Sequence, residues 1–142
     1  MEASLKGELM QINKDLVISG TNMTLGDIAY KDIYSTTETK TNKVWIDGKP
    51  IYRKVVYLNA LPNNNATDVR YATGITTNID VIKMYGKAYN TRNNITFPLP
   101  FVGANFIGWV YDNSTNEILI TTTMDRSMLI GYAIIEYTKK TD

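Results

Sequence analysis

The feature that most constrains the fold is a series of short β-type runs separated by turn signals, which begins at about residue 36. Its first example is the run Val-Trp-Ile at 44–46, followed by Asp47-Gly48 and a longer run at 51–60. Asp-Gly between two such runs is a strong short-range signal for a hairpin. Pro50 lacks a backbone N–H and therefore fits the start of a strand better than its middle. The stretch predicts a first β-hairpin.

The same pattern continues to the C-terminus. Runs rich in Val, Ile, Thr and Tyr alternate with polar turns such as "NNNATD" at 63–68 and "YDNSTNE" at 111–117. Short strands at regular spacing are typical of an antiparallel sandwich or barrel. We therefore expect an all-β, antiparallel, jelly-roll-like β-sandwich over residues 36–142. Its further strands are expected at about 68–73, 79–89, 95–97, 106–112, 117–123 and 128–138.

The last of these strands, "MLIGYAIIEY", is apolar on both faces. One set of alternate positions begins with Met128 and Ile130, and the other includes Gly131, Ala133 and Ile135. An antiparallel strand with one solvated face would alternate apolar and polar residues. We expect this strand to be covered by the domain core on one side and by a second subunit on the other, with Gly131 and Ala133 permitting close approach. The alternative is a central strand covered by a long loop.

The N-terminal segment carries a short heptad pattern. Leu5, Leu9, Ile12 and Leu16 are spaced four, three and four residues apart. This spacing fits positions d, a, d and a, and Leu at a with Ile at d favours trimers or tetramers over dimers. A helix packed on its own domain would give the same spacing, and Gly7 interrupts it. The pattern predicts a short coiled-coil stalk at 1–20 that associates as a trimer or tetramer. The break at "SGTN" (19–22) predicts a linker at 21–35.

Composition excludes several kinds of chemistry. The chain has no cysteine and no histidine, so disulfides, thiolate catalysis and serine–histidine or cysteine–histidine catalysis are ruled out. The net charge of +1 and the lack of a basic stripe predict no nucleic-acid partner. No apolar run reaches the length of about 18 residues that a membrane-spanning helix needs. We expect no cofactor, no metal site and no membrane insertion.

Two clusters combine aromatic rings with hydrogen-bonding side chains. A neutral sugar requires this combination, because its C–H face packs on an aromatic ring and its hydroxyl groups take polar partners. Tyrosine suits such contacts, since it is rigid and amphipathic. For each residue the alternative is the end of a strand followed by a polar turn. The candidate ligand-binding residues are Tyr89, Asn90, Arg92 and Asn93 in one cluster, and Trp109, Tyr111, Asp112, Asn113 and Asn116 in the other.

A carboxylate pair is the remaining route to catalysis. Asp112 and Glu117 flank a predicted hairpin, and Asp125 follows nearby. Glycosidases use two carboxyl groups about 5–9 Å apart, one of them with a raised pKa. The sequence gives no sign of that geometry, so we expect no enzymatic activity, with a polysaccharide depolymerase as the alternative.

The string "WIDGKPIYRKVVYLNALPN" at 45–63, together with the terminal "YTKKTD", resembles a known module. The module that it resembles is the C-terminal head of tail-fibre and minor structural proteins from phages and prophages of gut Firmicutes and similar bacteria. The resemblance covers about residues 34–142, and between 63 and 125 it concerns the general layout, including "FPLP" at 97–100. The segment "TLGDIAYKDIY" at 24–34 resembles the LG-x-A-A-x-K linker repeats of phage fibres, with Ile28 in place of the first Ala.

The resemblance implies a small β-sandwich at the tip of a homotrimeric fibre in the virion. Its implied role is adhesion to a bacterial surface receptor, often a saccharide. Receptor loops differ between such heads, so no specific receptor residue is implied. The alternative within the same family is a purely structural module that caps the trimer and sets its register.

Overall fold

The structure is a computed structural model that describes residues 31–63 and 68–142. Within these ranges there is no helix, and hence none long and apolar enough to cross a lipid bilayer. The predicted stalk (1–20) and most of the predicted linker (21–35) lie outside the described residues. The eight strands are β1 (Thr39–Val44), β2 (Pro50–Leu58), β3 (Val69–Ala72), β4 (Ile79–Asn90), β5 (Ile95–Leu99), β6 (Ile107–Asp112), β7 (Glu117–Thr122) and β8 (Ile130–Lys139).

The strands form two antiparallel sheets that share one hydrophobic core. The larger sheet has the order β1-β2-β8-β4-β5 and the smaller one has the order β3-β7-β6. Both sheets contribute fully buried side chains to a single cluster, among them Leu58, Ile79, Ile107, Ile118, Ile120 and Ile135. Two sheets joined by such a core form a sandwich-like arrangement. The predicted all-β antiparallel class is therefore confirmed.

The central strand β8 has one buried face and one partly open face. Gly131, Ala133 and Ile135 are buried, whereas Tyr132 and Ile134 on the opposite side are only partly covered. A Cβ atom added to Gly131 would lie 2.1 Å from the carbonyl oxygen of Lys87 in β4. The expectation that Gly131 and Ala133 admit a second subunit is therefore wrong. They face the core, and the lack of a side chain at Gly131 admits the neighbouring strand of the same sheet.

The first predicted hairpin is confirmed, with a shift in its boundaries. β1 pairs with β2 from Thr39 to Val44, and Pro50 is the first residue of β2. Trp45 and Ile46 belong to the turn, because the Gly48 N–H donates to the Trp45 carbonyl at 2.9 Å. The polar sequence "TKTNKV" gave no strand signal, yet it forms the edge of the sheet.

The hairpin predicted around "YDNSTNE" is also confirmed. β6 and β7 pair in register from Ile107 opposite Thr122 to Asp112 opposite Glu117. Asn116, in the connecting turn, has a φ of 55°, a conformation that Asn tolerates better than most residues. This turn lies at the end of the sandwich where β4 begins, because the Asn113 side chain donates to the carbonyl of Ile79.

Candidate functional site

The outer side of the five-stranded sheet carries four tyrosines, which we call the tyrosine face: Tyr57, Tyr85, Tyr89 and Tyr132. Register places them together, since Tyr57 lies directly opposite Tyr132, and Tyr85 and Tyr89 lie opposite their β8 neighbours on the same side. The rings of Tyr57 and Tyr132 are 5.4 Å apart between centroids. Tyr57 is 47% exposed and the other three are partly exposed. The sheet therefore presents several aromatic rings to solvent on one rigid surface.

Aliphatic side chains fill the spaces between these rings. Val55, Ile130 and Ile134 point to the same side of the sheet and are partly exposed. Neighbouring strands lie about 4.8 Å apart, and side chains on one face of a strand recur about every 6.7 Å. Rings and aliphatic groups at that density form a continuous apolar platform rather than isolated exposed residues.

One end of this platform is closed within the chain. Arg53 is only 3% exposed, because its guanidinium pairs with Glu136 at 3.0 Å and lies under the ring of Tyr34, 4.1 Å from the ring centroid. Tyr85 donates its hydroxyl to the same Glu136 carboxylate at 2.8 Å. Burial, together with hydrogen bonds to Tyr34 and Glu136, raises the pKa of Tyr85 and keeps it neutral. Tyr34 thus covers the outer face of the sheet at Arg53, and Tyr85 lies at the border of the covered part. The other three tyrosines of the face lie beyond it.

Two lysines alternate with tyrosines along β4. Lys83 and Lys87 are exposed, and they point to the same side of the sheet as Tyr85 and Tyr89. The Lys83 ammonium lies 4.6 Å from the centroid of the Tyr85 ring, and that of Lys87 lies 5.5 Å from the Tyr89 ring. Both distances are within the range of cation–π attraction. The ammonium groups are therefore held near the level of the rings.

The structure places the first predicted cluster at the rim of the tyrosine face. Tyr89 belongs to the face itself, and Arg92 lies exposed in the turn that follows β4. Asn90 accepts a hydrogen bond from the Arg92 N–H at 2.9 Å, and Asn93 accepts one from the Ile95 N–H at 3.2 Å. Asn90 and Asn93 thus use their carboxamide oxygens to hold the turn.

The second predicted cluster is committed largely to contacts within the chain. The rings of Trp109 and Tyr111 are partly buried and pack against the core. Tyr111 donates to the side-chain oxygen of Asn116 at 3.1 Å, and burial raises the pKa of Tyr111. Asn113 donates to the carbonyl of Ile79 at 3.1 Å. These groups join the β6–β7 turn to the start of β4.

The predicted carboxylate pair forms an ion-pair network. Arg70 donates to Asp112 at 3.0 Å and to Glu117 at 2.9 Å. Hydrogen bonds from Ser114, followed by the one from Arg70, hold the pKa of Asp112 well below its usual range. Bonds from the side chain and backbone of Ser127 lower the pKa of Asp125 in the same way. A glycosidase acid needs a raised pKa, so neither aspartate has the property required of it.

The two predicted clusters do not form one site. Asn113 contacts the first residue of β4, whereas Tyr89 and Asn90 lie at its other end. β4 is 12 residues long. At the usual rise of a strand this separates Asn113 from Asn90 by roughly 35 Å. Any ligand bound by one cluster would therefore leave the other free.

A shallow groove of about 340 Å³ lies beside the smaller sheet. Phe106, Val110 and Leu119 supply apolar walls, and Trp109 of the second predicted cluster also lines the groove. Its carboxylate, Asp68, accepts a hydrogen bond from the Thr121 hydroxyl. The groove thus has two aromatic residues, Phe106 and Trp109, in its lining and few polar groups, whereas the tyrosine face offers four rings. Across the described ranges, no group of three acidic side chains has the arrangement of a metal site.

Sequence reasoning missed three members of the tyrosine face and both lysines. A signal for part of this face does exist in "KMYGKAY" at 83–89. Its alternate positions are Lys83, Tyr85, Lys87 and Tyr89. Because side chains alternate between the two faces of a strand, these four residues had to share one face. Tyr57 and Tyr132 carried no such signal, since their meeting depends on the pairing of β2 with β8.

Comparison of the chain with protein-family models, with curated proteins and with solved structures found no match in any of the three.

Proposed function

We propose that this chain is the adhesive head of a phage tail fibre and that it binds a bacterial surface saccharide through the tyrosine face. In this proposal the jelly-roll-like sandwich stands at the tip of a homotrimeric fibre in the virion. The observation that carries the proposal is the presence of four partly exposed tyrosines on one rigid sheet surface. The phage context comes from the resemblance of residues 34–142 to fibre heads.

The chemistry of tyrosine fits the proposed ligand. Each ring offers an apolar face for the C–H groups of a sugar and a hydroxyl that both donates and accepts hydrogen bonds. The rings are supported by a paired sheet, so little conformational entropy is lost when a ligand binds. An open platform of this kind binds weakly, with a Kd near 1 mM or about −4 kcal/mol. Three heads on one fibre raise the avidity without any new contact.

The proposal is tested by binding to immobilised host-wall saccharides. We expect Tyr57→Ala and Tyr89→Ala each to weaken binding about two- to tenfold, since one aromatic contact contributes roughly 0.5–1.5 kcal/mol. Phe106→Ala is the matched control, because it removes a 39% exposed ring beside the groove of the other sheet. Thermal unfolding checks that each variant folds. Loss of binding in Phe106→Ala alone would move the site to the groove.

A structural role is the second candidate function. It is favoured by the aliphatic residues Val55, Ile130 and Ile134, which a neighbouring copy of the chain would cover. In that case the head caps the trimer and adhesion lies elsewhere on the virion. Absence of binding to every glycan of a broad array, with an intact trimer, would favour this role over adhesion.

A depolymerase is the weakest of the candidates, because Arg70 bridges the carboxylates it would use. Incubation with host polysaccharide tests it, with new reducing ends as the readout.

A further inference from the structure

The charges of the tyrosine face are distributed unevenly. At the closed end, the carboxylate of Glu136 pairs with Arg53 and accepts the hydroxyl of Tyr85. Along β4, by contrast, neither Lys83 nor Lys87 forms an ion pair with any residue in 31–63 or 68–142. Lys87, opposite Tyr132, therefore presents positive charge in the open part of the face, and Lys83 presents it at the border with the closed end, where it lies opposite Glu136.

The spacing of these charges defines the size of the ligand. Lys83 and Lys87 are four residues apart on one extended strand, which places their Cα atoms about 13 Å apart. Tyr85 lies between them, and Tyr89 follows on the same line. A ligand that meets both ammonium groups must extend along the strand and pass over at least one ring. This requirement favours a linear polymer with repeated charges over a single sugar.

We propose that the tyrosine face binds an acidic polysaccharide, whose anionic groups contact Lys83 and Lys87 while its sugar rings pack on Tyr85 and Tyr89. This inference rests on the proposed saccharide-binding function and specifies the class of saccharide. A neutral glycan would leave both ammonium groups without a counter-charge in the complex. An acidic glycan supplies that charge, and the steering by opposite charges also speeds encounter.

Nucleic acid is a different kind of anionic polymer, and the charges do not fit it. A nucleic acid carries a charge on every nucleotide, and its binding relies on many lysine or arginine contacts to phosphates. The face offers two lysines, and the whole chain has a net charge of +1. The same two lysines suffice for a polysaccharide that carries charge at wider intervals and presents C–H faces to tyrosine.

The test compares two ligands that share one sugar backbone, one anionic and the other neutralised as its methyl ester. The full chain is titrated with polygalacturonate and with fully methyl-esterified polygalacturonate at low ionic strength, and hyaluronate serves as a second acidic probe. We expect measurable binding to both acidic polymers and at least tenfold weaker binding to the ester. We also expect the double variant Lys83→Gln, Lys87→Gln to bind the acidic polymers about tenfold more weakly. Each exposed ion pair raises the affinity a few-fold, and the variant loses two of them.

The matched control is Lys40→Gln, Lys43→Gln, which removes the same charge from β1. That strand is three positions away from β4 in the sheet, about 14 Å across. Equal losses in the two double variants would overturn the inference, because they would reflect net charge alone. So would equal binding of the acid and the ester, no binding of either acidic polymer, or tighter binding of single-stranded DNA.

These outcomes are distinguishable from failure of the proposed function. If the chain binds neutral wall glycans as tightly as acidic ones and Tyr57→Ala weakens that binding, adhesion through the tyrosine face stands while the inference about charge fails. If no saccharide of any charge binds, both fail together.

Discussion

Tyr71 shows how single residues couple this fold to pH. Its hydroxyl donates to the carbonyl of Ala60 at 2.7 Å, and burial raises the pKa of Tyr71 from 10.0 to about 12. The unfolded chain releases this proton near pH 10, whereas the folded chain holds it. The stabilisation is therefore complete below about pH 10 and is lost as the pH rises toward 12.

We expect the free energy of unfolding to fall between about pH 10 and pH 12, by on the order of 1 kcal/mol per pH unit for each tyrosine of this kind. Urea unfolding at stepped pH measures it. Burial also raises the pKa of Tyr111 and Tyr137, so the wild-type slope includes their share. The free energy of unfolding of Tyr71→Phe should fall less steeply with pH than that of the wild type. An unchanged pH dependence in that variant would contradict the raised pKa of Tyr71.

At the residue scale the sequence predicted Tyr89 and the turn that follows it as ligand-binding. It did not predict the other three tyrosines of the face. Composition points to tyrosine as a contact residue, but it does not say which tyrosines meet. Tyr57 and Tyr132 are 75 positions apart in sequence and come together only through the register of β2 with β8. Trp109 and Tyr111 have the same sequence signature, yet they lie against the core. Burial on one side of a strand is decided by the opposing sheet.

At the scale of elements, β4 and β8 approach too closely for side chains at certain positions. A Cβ atom added to Gly131 would lie 2.8 Å from the Cα atom of Ala88 as well as 2.1 Å from the carbonyl oxygen of Lys87. Both contacts are with backbone, which cannot rotate away. We expect Gly131→Ala to destabilise the chain by about 3 kcal/mol, at the upper end of the usual cost of overpacking.

Urea unfolding of Gly131→Ala at two protein concentrations measures this cost. Gly48→Ala is the control, because an added Cβ there meets nothing within 4 Å and costs only the strain of a positive φ. A role for Gly131 in subunit contact would give another result. In that case Gly131→Ala would lose assembly while the unfolding free energy of the separate chain stayed unchanged.

Strands of β-branched and aromatic residues were predicted well because those residues carry the signal themselves. β1 was missed over most of its length, since an edge strand that pairs on one side needs no apolar sequence. The order of strands was also beyond prediction. β8 pairs with β2 and β4, and pairings over such distances in sequence follow from the packing of the whole core.

At the scale of the whole molecule, two features compete to explain assembly. One is the heptad pattern of Leu5, Leu9, Ile12 and Leu16, which favours a trimer or tetramer and lies outside the described residues. The other is the tyrosine face, whose aliphatic residues a second copy would cover. A face buried between copies cannot bind a polysaccharide, so the two features make opposite demands on the proposed function.

We expect light scattering of the full chain to give about three times the mass of one chain. Replacing Leu9 and Ile12 by Lys should reduce the measured mass to that of one chain, because charges at positions a and d oppose a coiled-coil core. Tyr132→Glu should leave the trimer intact and weaken saccharide binding. The reverse pattern, in which Tyr132→Glu dissociates the trimer and the heptad variant does not, would make the tyrosine face a subunit interface. A monomeric wild-type chain at micromolar concentration would contradict the trimer itself and leave adhesion through the tyrosine face to be judged by binding alone.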